Sequence, residues 1–173
     1  MRKAAWEKPG PAAYIGGRKE GPMPEHNQPK VADALNALLA DSFALYLKTK
    51  NYHWHVQGPR FRELHLLFDE QATQVLATTD LIAERVRKNG AATLRSIGDV
   101  GRRQAIKDDD ASGVAAEAMV TTLAADNRTL LAQLKEVKAA AERDGDIATS
   151  GLVDAWADET EQRIWFLEAT VGY

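Results

Sequence analysis

There is no cysteine among the 173 residues of the chain. Disulfides and thiolate ligands are excluded, so any metal site must be built from nitrogen and oxygen donors. No run of 18 apolar residues occurs, and no transmembrane helix is expected. Arg2 and Lys3 are not followed by an apolar segment, so no secretory signal is expected and the compartment reads as cytoplasmic. Alternating strand-like patterns, internal repeats and Glu-x-x-His motifs are also missing. Proline is scarce and unevenly placed: five of six fall in residues 1–30, together with four of twelve glycines.

What is present is ordinary for one soluble domain, with 45% apolar and 27% charged residues. Charge is uneven. Residues 1–30 carry six Lys/Arg and three Asp/Glu, against sixteen and twenty-two in the rest. The first thirty residues show no apolar periodicity and read as an extended arm. Arg2, Lys3, Lys8, Arg18, Lys19 and Lys30 are candidates for sequence-independent DNA phosphate contacts. A solvated tail, or one pinned to a neighbouring subunit by Trp6 and Tyr14, fits the same composition.

From residue 31 the pattern becomes helical. A first helix over 31–55 carries Ala34, Leu35, Leu38, Leu39, Phe43, Leu45 and Tyr46 on one side, and Gly58-Pro59 separates it from a second. The second runs from Phe61 to Lys88 and stops at Asn89-Gly90. Residues 89–112 read as a long crossover with a short helix near 102–107. Ser112 is a candidate cap for a third helix reaching Arg143, with Val114, Met119, Leu123, Leu130, Leu134 and Val137 inside. Asp146 is a candidate cap for a fourth, running nearly to Tyr173 and burying Leu152, Trp156, Ile164, Leu167 and Val171. Four long helices with one long connection make an all-α, up-down-down-up bundle of the ferritin-like kind over residues 31–173.

The second helix holds the sharpest signal. His65 and Asp69 are four residues apart, as are Asp80 and Glu84, so each pair shares one helix face. All four lie beside the apolar stripe of Leu64, Phe68, Val75, Leu76, Thr79, Ile82 and Val86. Burying these groups without partners costs several kcal/mol, and a metal ion is one compensation. One helix cannot close one site with both pairs, because Asp69 and Asp80 are about 16 Å apart along the axis. Both pairs are nevertheless symmetric about a point between Gln74 and Val75. Two copies packed antiparallel there would set His65 against Glu84 and Asp69 against Asp80, giving two equivalent sites per dimer.

The chain resembles the Dps family, the mini-ferritins named as DNA-binding proteins from starved cells. The resemblance rests on His53-Trp54, Gly58-Pro59-Arg60-Phe61, the His65 to Asp69 and Asp80 to Glu84-Arg85 spacings, and the late Trp165-Phe166-Leu167-Glu168. It implies a hollow dodecamer in which His53, His65 and Asp69 of one subunit and Asp80 and Glu84 of its two-fold mate form a ferroxidase centre, with Trp54 beside it. It further implies that ferrous iron is oxidised there, preferentially by hydrogen peroxide, that ferric mineral collects inside, and that DNA is thereby protected. Two ferrous ions used per peroxide would avoid releasing hydroxyl radical.

The donor set suits iron, although zinc, cobalt and manganese accept similar ligands. Paired with Arg85 or Arg87, Asp80 and Glu84 would instead be ordinary surface ions. Glu70 is a candidate for mineral nucleation, and Asp144, Asp146 and Asp154 for acidic pores at three-fold axes. His55 has no counterpart among the family's ligands and reads as structural or exposed. His26 in the arm reads as solvated, or as an accessory metal site with Glu25. Trp156, Trp165 and Phe166 read as packing residues.

Overall fold

The computed structural model describes residues 30–172. Trp6, Tyr14, His26 and the basic side chains of the arm lie outside the described residues. Five α-helices follow in order: α1 (Lys30–His55), α2 (Phe61–Lys88), α3 (Ile97–Arg103), α4 (Ala116–Asp144) and α5 (Ile147–Val171). No strand occurs among the described residues.

The polar contacts between helices fix their directions. On α1 and α4, Asp41 meets Gln133 and Lys48 meets Asp126, so the residue numbers run in opposite senses. On α2 and α5, Gln71 meets the backbone of residue 163 and Arg85 meets Thr149, again in opposite senses. With tight turns inside the α1–α2 and α4–α5 pairs, the course is up-down-down-up, the ferritin-like topology. Leu35, Leu38, Leu39, Leu45, Leu64, Phe68, Ile82, Leu123, Leu134 and Leu167 fill the core and are almost wholly buried.

Helix ends follow local chemistry. Gly90 has φ +79°, and the N–H groups of Gly90 and Ala91 bond back to Arg87 and Val86, closing α2 with a Schellman motif. Asp146 caps α5 by accepting from the Thr149 N–H at 3.0 Å. It also accepts from Arg85 at 2.5 Å and Asn89 at 3.1 Å, tying the end of α2 to the start of α5.

Burial opposes ionisation of this carboxyl, but the bonds from Thr149, Asn89 and Arg85 outweigh it and bring the pKa down to about 2. Because the folded value lies below the ordinary one, the stabilisation is complete above about pH 5 and fades as pH falls toward 2. Asp146→Asn is expected to cost about 2 kcal/mol at neutral pH, with the deficit vanishing near pH 2. Denaturant melts across that range check it.

Two boundaries differ from the sequence reading. The short crossover helix begins at Ile97 rather than near 102: Ser96 caps it, and Gln104 leaves helical geometry. Beyond it, the N–H groups of Ala105 and Ile106 are taken by the Asp41 carboxylate at 2.7 and 2.8 Å, so the helix cannot continue. Ser112 does not cap α4. Gly113 at φ +72° breaks the chain, and the helix starts at Ala116 without a side-chain cap.

Asp41 is fully buried and anchors the crossover along α1. Its removal strands two backbone donors and the Gln133 amide. Asp41→Ala is expected to cost about 3 kcal/mol or more, read by urea unfolding.

Candidate metal centre

The last turn of α1 and the first turns of α2 meet at two histidines. His53 and His65 stack with ring centroids 3.8 Å apart and planes 21° apart. His53 Nδ1 lies 2.7 Å from the carbonyl of His65, and His65 Nδ1 lies 2.8 Å from the carbonyl of His53. A carbonyl only accepts, so each Nδ1 carries the hydrogen. In the neutral rings the lone pairs are therefore on Nε2, the state an imidazole needs to ligate a metal. Phe61 lies against His65 with centroids 5.1 Å apart. The rings are thus fixed in both tautomer and orientation before any ion arrives.

Asp69, one turn along α2, brings Oδ1 to 3.9 Å from His53 Nε2. Bonds of about 2 Å from each would let one ion bridge that span. Lys50, one turn before His53 on α1, donates to the same Oδ1 at 2.6 Å, and its Nζ stands 5.9 Å from the centroid of the Trp54 ring. That hydrogen bond draws the Asp69 carboxyl below its ordinary pKa. Sequence reading missed Lys50. The available signal was its position three residues before His53, which puts both on one side of α1.

Asp80 and Glu84 lie about three and four turns beyond Asp69 along α2, both exposed. Glu84 accepts from Lys88 at 2.8 Å, which lowers its pKa. Pairing with Arg85 or Arg87 does not occur: Arg85 is committed to Asp146 and Thr149, and Arg87 to the carbonyl of Ala91. The structure therefore groups His53, His65 and Asp69 and leaves Asp80 and Glu84 apart from them. Among the described residues, no three His, Asp or Glu side chains of one chain come together tightly enough to hold an ion.

Among the described residues, the α2 face carrying these groups is not buried. Leu66, Leu76 and Leu81 beside it are 54%, 41% and 46% exposed, so Leu76 is not part of the inner stripe. The carboxylates escape the cost of burial because no other described residue covers them.

Of the auxiliary residues, Glu70 is exposed and accepts from Gln74 at 3.4 Å. Asp154 pairs with Lys138 at 2.7 Å, and the oxygens of Asp146 are taken up by the α2–α5 tie. His55 is exposed and donates locally to the carbonyl of Asn51. Trp165 is 64% exposed rather than packed, with Phe166 against its edge at 5.0 Å, whereas Trp156 is buried.

A paired-hairpin bundle of this course is the architecture of ferritin-like proteins, and the family model described as a ferritin-like domain matches residues 32–173. The chain is 34% identical to the "DNA protection during starvation protein" of Brevibacillus brevis over 142 residues, covering 82% of this chain and 95% of that one. A crystal structure of a Dps protein from Bacillus brevis superposes with a TM-score of 0.78 at 33% identity, over 82% and 94% of the two chains. A Vibrio cholerae O1 Dps, described as one of the ferritin-like diiron-carboxylate proteins, does so with a TM-score of 0.78 at 32% identity, over 82% and 89%. The chain belongs to the Dps family.

Proposed function

We propose that the protein is an iron-storing ferroxidase whose centres are completed across a two-fold axis, within a closed homo-oligomer of dodecameric type. The observation that carries this reading is the pair of interlocked histidines. Two imidazoles held with Nε2 free, beside a carboxylate and with no thiolate, form a half-site suited to iron. The missing oxygen donors stand on the same helix face at the spacing a two-fold mate would supply. The exposed Leu66, Leu76 and Leu81 give that mate an apolar seat.

Ferrous iron is the substrate. Hydrogen peroxide takes two electrons, one from each of two ferrous ions, and with two protons becomes two waters. The product is ferric iron, which is then stored. His53 and His65 bind and orient, while Asp69, with the mate's Asp80 and Glu84, supplies negative charge that favours the ferric product over the ferrous ion. Among the described residues, the bundle interior offers no rival cluster of ligands. Arg163, only 3% exposed, lies there bonded to Asn127 and Thr160, and a buried cation beside Gln71 repels metal.

Stopped-flow oxidation of ferrous iron by peroxide and by dioxygen tests the reading. Peroxide is expected to be the faster oxidant, and failure with both would refute it.

A second activity, non-specific DNA binding, is favoured by the basic composition of residues 1–30. Deleting residues 1–28 is expected to abolish a low-salt mobility shift. Unchanged binding would clear the arm of that role.

A further inference from the structure

The ammonium of Lys50 occupies the carboxylate oxygen that faces the histidines. Asp69 Oδ1 is both the atom 3.9 Å from His53 Nε2 and the acceptor 2.6 Å from Lys50 Nζ. An ion bridging His53 and Asp69 through that oxygen meets a positive charge already seated there.

Lys50 is held from two sides. Its side chain is only about one-fifth exposed, far less than that of Asp69. The face of Trp54 lies near the same Nζ, within the range of a cation–π contact. Trp54 thus stands beside the ammonium while it holds the carboxylate.

Resting on the proposed metal centre, we infer that Lys50 is a resident counter-ion that competes with the incoming metal for Asp69 and sets the affinity of that position. The ammonium neutralises Asp69 while the site is empty. It must move from Oδ1, or share it, before a divalent ion binds through that oxygen. The resulting site holds its second ion weakly, so it loads when ferrous iron is plentiful and releases product readily. Lys50 is a positioning residue and takes no part in electron transfer.

Anaerobic calorimetric titration of the assembled protein with cobalt(II) provides the test, with assembly checked by light scattering before each run. Cobalt(II) accepts the same donors and does not turn over. Lys50→Met and Lys50→Gln are expected to tighten the weaker cobalt step by about tenfold or more, the scale of removing one charge about 4 Å from a divalent ion in a partly solvated site. Lys50→Arg, which keeps the charge, is expected to stay within about threefold of wild type by the same electrostatics. Unchanged or weakened binding in both neutral variants would overturn the inference. So would an equal gain in Lys50→Arg, which would indicate that shape rather than charge matters. His65→Ala keeps the two failures apart: if it leaves cobalt binding intact, the metal-centre reading itself fails. If it abolishes binding while the neutral Lys50 variants match wild type, only the role of Lys50 is lost.

Discussion

Replacing His65 and Asp69 together by alanine is expected to slow ferrous iron oxidation at least about 100-fold, the upper end of what losing even a supporting partner costs at a metal site. Both are half-buried at the surface, so little of the core goes with them. His53 keeps its orientation in this variant, because its Nδ1 is held by the backbone carbonyl of residue 65 rather than by the side chain. What is lost is one imidazole, its stacking on His53 and the carboxylate next to both. Stopped-flow absorbance on an assembled, helical double variant checks this. A rate near that of wild type would remove the centre from these residues.

The second large effect concerns the open face of α2. Leu76→Asp with Leu81→Asp is expected to weaken self-association by at least about 100-fold, since each introduced carboxylate would be desolvated in an apolar contact at a cost of a few kcal/mol. These side chains are exposed in the single chain, so its helix content is expected to survive. Iron oxidation is expected to fall with assembly, although neither position is a ligand. Sedimentation velocity and circular dichroism separate loss of assembly from loss of folding. A fully assembled variant would place the subunit contact elsewhere.

The long helices were legible in the sequence because each has an apolar face many turns long and an end marked by chemistry that acts locally. Asn89-Gly90 and Asp146 are such marks, and the structure keeps them. The crossover was not legible in detail. Ser96 starts its short helix, but the end is set by Asp41, more than sixty residues from the N–H groups of Ala105 and Ile106 that it takes. Nothing in the local sequence announces that pull.

The site was legible to a similar degree. Four-residue spacing shows that His65 and Asp69 share a face, but not that the two histidines hold each other through reciprocal backbone bonds, nor that Lys50 sits on Asp69. These contacts join two helices and depend on how α1 and α2 pack. Burial of the α2 face was misjudged for the same reason: periodicity shows which residues lie together, and only packing shows whether the chain or a second copy covers them.

A mixed assembly tests the shared centre most directly. One chain carries His65→Ala and Asp69→Ala, the other Asp80→Ala and Glu84→Ala, and the two are refolded together. In each mixed dimer one site loses every altered ligand while the other regains the full set. The shared centre therefore requires two inactive proteins to yield an active one, with about one quarter of wild-type sites restored on random pairing of equal amounts. Co-refolded assemblies as inactive as their parents would contradict it.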